Sequence, residues 1–132
     1  MVPTAVVIDD SSISRLSIKA ALTKAGCRVV AEAASGDRVL ELYEQHRPTL
    51  MTLDIILPQL DGVTAATQLL RKHPEATVVM CSSLTARDKV LACRDAGVSH
   101  FILKPFTPDK VASVVKSVLE RVGASAAAGK AP

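Results

Sequence analysis

"VVIDDSS", Val6 to Ser12, sets a short apolar run directly against two adjacent carboxylates and two hydroxyls. The run Ala5–Ile8 shows no polar/apolar alternation, so a strand built from it is covered on both faces. That is the condition of a parallel sheet flanked by helices. Four similar runs follow, at Arg28–Ala31, Leu50–Leu53, Thr77–Cys81 and His100–Leu103, with starts 22 to 27 residues apart. Each gap has room for one helix.

Helical spacing fills those gaps. Ile13, Leu16, Ala20 and Ala21 share a face ahead of Gly26, a C-terminal stop. Val39, Leu40 and Tyr43 follow Gly36, and Val63, Ala66, Leu69 and Leu70 precede Pro74. Val90, Leu91 and Arg94 lead to a second stop at Gly97. Val111, Val114, Val115, Val118, Leu119 and Val122 follow Pro108, a residue suited to a helix start. The pattern is (βα) repeated five times, an α/β fold with an open, doubly wound parallel five-stranded sheet and helices on both faces. It predicts one domain over residues 1–122 and a flexible small-residue tail, "GASAAAGKAP", over residues 123–132.

Composition narrows the function. The chain has 132 residues, 48% hydrophobic and 22% charged, enough for one cored domain. Tyr43, Phe101 and Phe106 are its only aromatics, so the core is aliphatic. The net charge of +3 is scattered, and no basic run exceeds Arg71-Lys72. Without clustering or stacking aromatics, a nucleic-acid surface is not expected. Cys27, Cys81 and Cys93 lack metal or disulfide spacing, and Cys81 reads as a small core residue. No apolar segment approaches the roughly 20 residues that span a bilayer, and "MVPTAVV" lacks a basic n-region followed by a long apolar h-region, so no signal peptide is expected. The cytoplasm is the expected compartment.

In a doubly wound sheet, ligands bind outside the carboxyl ends of the strands. After the first run come Asp9 and Asp10; the third ends in Asp54, the fourth in Ser82 and Ser83, the fifth in Lys104. Three carboxylates gathered on one rim repel one another, and they need a cation or raised pKa values. A hard divalent ion such as Mg2+ suits such oxygens. Each residue also has a plainer reading. Asp9 and Asp10 are ordinary helix caps, Ser82 is turn chemistry, and Lys104-Pro105 is a turn. Asp54 resists that reading, because "IILP" follows it and no helix starts at once.

Taken together, "VVIDDSS", "TLDIILPQLDG", "VVMCSSLT", "DAG" and "FILKPF" resemble the receiver domain of two-component response regulators, most closely the stand-alone chemotaxis type. The resemblance covers residues 4 to 122 and implies the flavodoxin-like strand order 2-1-3-4-5. It further implies that Asp54 accepts a phosphoryl group from a histidine kinase. Asp10 would hold Mg2+ directly and Asp9 largely through water, with the Ile56 backbone carbonyl as a further ligand. Ser82 would bond a phosphoryl oxygen, Lys104 would pair with another, and Phe101 would be the aromatic that reports phosphorylation. The implied activity is a signalling switch with at most self-catalysed phosphorylation and dephosphorylation. The chain would be a monomer whose partner, a flagellar motor or other motility component, meets the fourth helix, fifth strand and fifth helix.

The sequence departs from that family in three places. Phe101 stands where many chemotaxis receivers carry Tyr, and it has no hydroxyl with which to donate a hydrogen bond. Ser83 replaces a smaller residue, and Ile56 is apolar and branched; both are expected to tune the lifetime of the phosphorylated form. Two other functions compete. A Mg2+-dependent aspartyl-phosphate phosphatase would use a DxD-type nucleophile, whereas here the acids are adjacent and Ser11 follows. The receiver part of a larger regulator, such as a chemotaxis methylesterase, is suggested by "SSLT" and the Ala/Gly tail.

Overall fold

Each continuous apolar run forms a strand, and its backbone polar groups are satisfied through neighbouring strands. The computed structural model describes residues 2–83 and 87–129. In chain order these are β1 (Thr4–Ile8), α1 (Ser12–Lys24), β2 (Arg28–Ala33), a 3-10 turn (Gly36–Arg38) running into α2 (Val39–His46), and β3 (Leu50–Asp54). Then come α3 (Gly62–Lys72), β4 (Val78–Ser82), α4 (Arg87–Asp95), β5 (His100–Leu103) and α5 (Pro108–Gly129). The sheet is parallel throughout, in the expected order β2-β1-β3-β4-β5.

The sheet divides the core in two. One face carries Val6, Ile8, Met51, Leu53 and Met80 against Leu42, Tyr43, Ala66, Leu69 and Cys93 of α2, α3 and α4. The other carries Ala5, Val7, Leu50, Val79 and Ile102 against Ile18, Leu22, Val111, Val115 and Val118 of α1 and α5. Cys81 is buried on this second face, as expected of a small core residue. Gly26 and Gly97, at φ +87° and +106°, close α1 and α4 in the left-handed region that glycine adopts without a Cβ penalty.

Two expectations are corrected. In α1 the buried stripe is Ile18, Ala21 and Leu22, while Ile13 and Leu16 are 77% and 64% exposed. The helix carries two apolar stripes on opposite sides, and the sheet takes the one whose Ile18 and Leu22 meet α5. In α4 the buried residue is Cys93, and Leu91 is 66% exposed. Helix α5 continues to Gly129, so residues 123–129 of the expected tail are helical, as alanine's intrinsic propensity favours. Residues 1, 84–86 and 130–132, among them Leu84 and Thr85 of "SSLT", lie outside the described residues.

Candidate functional site

After β1 the chain crosses to β2 on one side, and β3 then pairs on the other. The crevice at such a reversal lies beyond the carboxyl ends of β1 and β3, where Asp9, Asp10 and Asp54 are found. Ser11 resolves the double meaning of the acidic pair. Its hydroxyl accepts the Ser14 N–H at 3.2 Å and caps α1, which frees both aspartates from capping. One carboxylate oxygen from each of Asp9, Asp10 and Asp54 lies within 4.8 Å of the others.

The three are not equivalent. Asp9 is fully buried; its Oδ1 accepts the Ser11 N–H at 2.9 Å and its Oδ2 accepts Lys104 Nζ at 2.9 Å. Asp54, at the end of a fully buried strand, accepts the Ile56 N–H on Oδ1 at 3.2 Å and Lys104 Nζ on Oδ2 at 2.9 Å. Asp10 is exposed. Lys104 thus bridges two buried carboxylates and leaves the four-residue cluster with a net negative charge. The donor set is all hard carboxylate oxygen, with one member open to solvent, which fits an octahedral cation that keeps waters.

Burial pushes the Asp54 carboxyl above its ordinary pKa, opposed by the hydrogen bond and charge of Lys104. Burial also works against the Lys104 ammonium, but its bonds to Asp9 and Asp54 outweigh that and raise its pKa. Beneath the cluster, Cys81 is the β4 register partner of Asp54, and burial pushes its thiol up to about 12. A thiol so protonated is not a nucleophile.

The remaining predicted residues stand around this cluster. Ser82 is buried and donates its hydroxyl to the Ser83 carbonyl at 3.1 Å. The Lys104 N–H bonds the Ser82 carbonyl at 2.6 Å, which ties the end of β5 to the end of β4. Ile56 is 49% exposed on the rim. Phe101, paired in register with Met80, is half-buried against the α2–α3–α4 side of the core and outside the cluster.

Two glycines that sequence reasoning left without a role shape the crevice. A Cβ on Gly62 would lie 2.1 Å from the Asp54 carbonyl oxygen, and its N–H bonds the Ile55 carbonyl at 2.8 Å. The first turn of α3 therefore closes onto the end of β3. A Cβ on Gly36 would lie 1.8 Å from the Leu60 carbonyl oxygen, so the β3–α3 loop seats directly on the 3-10 turn. The signal for Gly62 was its place in "LDG" after Asp54, but close approach is a tertiary fact that no spacing reveals.

Residues 5–116 match the response regulator receiver domain family. The chain belongs to that family. It is 37% identical over 113 residues to chemotaxis protein CheY of Bacillus subtilis (strain 168), covering 86% of this chain and 94% of that protein. It is also 40% identical over 139 residues to a protein-glutamate methylesterase/protein-glutamine glutaminase of Alkalilimnicola ehrlichii, covering 97% of this chain but 35% of that one. Among solved structures, the CheX-CheY-BeF3-Mg2+ complex from Borrelia burgdorferi matches with a TM-score of 0.81 at 30% identity, over 88% of each chain. This receiver is thus similar to chemotaxis response regulators, consistent with a phosphorylation-controlled switch in two-component signalling. No helix among the described residues is long and apolar enough to cross a membrane.

Proposed function

We propose that Asp54 of this receiver is the phosphoacceptor of a chemotaxis-type phosphorelay, with Mg2+ held by Asp9, Asp10, Asp54 and the Ile56 carbonyl. The observation that carries the reading is the Lys104 ammonium, 2.9 Å from both Asp9 and Asp54, in a crevice where Asp10 is exposed to solvent. An Asp54 carboxylate oxygen attacks phosphorus as the P–N bond to the kinase histidine breaks. The departing imidazole keeps the electron pair and takes up a proton. Bound Mg2+ supplies charge neutralisation for the group in transfer.

Lys104 screens the transferred charge from one side, and Ser82 turns its hydroxyl from the Ser83 carbonyl to a phosphoryl oxygen. That movement opens space for Phe101, with Ile56 and Ser83 tuning how long the modification lasts. Such a local event biases a two-state element. The output surface is α4, β5 and α5, where Leu91 and Leu103 are 66% and 46% exposed, and its partner is a motility component. The protein acts as a cytoplasmic monomer with no substrate turnover beyond its own phosphorylation and dephosphorylation.

Asp9 argues against the phosphatase reading, since it is fully buried and both of its oxygens are engaged. The methylesterase likeness supports a second reading, a receiver that serves a larger regulator. Peptide mapping after treatment with acetyl phosphate and Mg2+ tests the assignment. Modification on the peptide carrying Asp54 supports it; modification of Asp9 with turnover of a free ester overturns it.

A further inference from the structure

Arg15, in the first turns of α1, reaches back under the acidic pair. Its Nη1 donates to the Asp9 carbonyl at 2.6 Å and its Nε donates to Glu32 Oε1 at 2.9 Å on β2. The other Glu32 oxygen accepts Lys19 Nζ at 2.5 Å. The Asp9 N–H is fixed as well, by the Ala33 carbonyl of β2 at 3.1 Å. Arg15 is itself anchored through its backbone N–H, which bonds the Ser11 carbonyl at 2.9 Å. The Arg15 side chain is 19% exposed.

The carbonyl that Arg15 holds belongs to the planar peptide joining Asp9 to Asp10. Fixing that plane places the Asp10 N and Cα atoms, the base from which its side chain leaves the backbone. Asp9 does not need this help, because its carboxylate is already held by Ser11 and Lys104. Asp10 is exposed, and no side chain among the described residues pairs with its carboxylate. Its aim toward Asp54 therefore depends on the backbone beneath it. A planar fork spanning a carbonyl and a carboxylate suits that task, and an ammonium does not.

We propose that Arg15, anchored by Glu32, is a positioning residue for the cation site, acting through the Asp9–Asp10 peptide to hold the Asp10 carboxylate in place. This rests on the reading of the acidic cluster as a Mg2+ site. The hydrogen bond from Lys19, against the effect of burial and with further help from Arg15, holds the Glu32 carboxyl below the usual range, so the anchor stays ionised.

Charge and positioning predict opposite signs here. Arg15 is a cation beside a cation site, so on charge alone its removal strengthens Mg2+ binding. If it positions Asp10, its removal weakens binding. Calorimetric titration with Mg2+ at fixed ionic strength decides between them, using the wild type, Arg15→Ala and Arg15→Lys. Thermal unfolding in chelator is the check that each variant folds. The lysine variant keeps the charge and most of the packing, and it carries the test alone if the alanine variant does not fold.

Both variants are expected to bind Mg2+ about tenfold more weakly, as loss of an outer-shell partner does, with the metal-free unfolding temperature of Arg15→Lys unchanged. Equal or tighter binding by Arg15→Ala, or wild-type binding by Arg15→Lys, overturns the positioning role and leaves the Mg2+ site standing. Failure of the wild type itself to bind Mg2+ overturns both.

Discussion

Lys104 places one ammonium between two buried carboxylates, so the site's own charges are part of the fold's stability. Removing it leaves Asp9 and Asp54 facing each other without a counter-charge, and breaking a buried pair from one side costs about 3 kcal/mol. Lys104→Met is expected to lower the unfolding temperature in chelator, and added Mg2+ should recover a large part of the loss. Thermal unfolding with and without Mg2+ measures both effects. Glycines give a second contrast. Gly62→Ala forces a Cβ to within 2.1 Å of the Asp54 carbonyl oxygen, where only backbone could yield, and is expected to cost about 1–3 kcal/mol. Gly123→Ala meets nothing within 4 Å in a helix and is expected to stabilise by up to about 1 kcal/mol; urea denaturation compares the two. Asp9, Asp54 and Lys104 were legible in the sequence because each ends an apolar run, and strand ends converge in a parallel sheet. The constraint at Gly62 was not, because it depends on how α3 closes over β3.

The first helix shows where periodicity stops being informative. Its apolar residues form two stripes, and spacing cannot say which one the sheet will cover. The stripe of Ile18, Ala21 and Leu22 is buried, and Leu22→Ala is expected to cost about 2–5 kcal/mol as a core truncation. Leu16→Ser, on the exposed stripe, is expected to change stability by less than about 0.5 kcal/mol. Chemical denaturation of the two variants tests the assignment; equal costs would mean that α1 sits otherwise. At the other end of the sheet, β5 begins with His100, whose pKa is lowered from 6.5 by burial and then by the charge of Arg121. A lowered pKa means that the unfolded chain binds the proton more readily. The contribution of His100 to stability is therefore full above pH 6.5 and lost as pH falls through its lower folded value. His100→Gln is expected to flatten that part of the stability profile between neutral pH and pH 5, as read from unfolding temperatures across the range.

The molecule as a whole was the most legible level. Five unbroken apolar runs separated by helical lengths leave a parallel sheet with helices on both faces as the natural arrangement. Strand order came from resemblance to a known family and not from spacing, since periodicity carries no information about which strands pair. At the C-terminus α5 runs on through Gly129, into the small-residue stretch that begins at Gly123. The architecture sets β1 and β3 side by side and so turns two separate sequence motifs into one acidic crevice beside Lys104. The most direct test of that convergence is intact-mass analysis after incubation with acetyl phosphate, in Mg2+ and in chelator, for the wild type and Asp54→Asn. The account predicts one added phosphoryl group on the wild type in Mg2+, and none in chelator or on Asp54→Asn. Equal labelling of Asp54→Asn, or no labelling of a folded wild type that binds Mg2+, would contradict it.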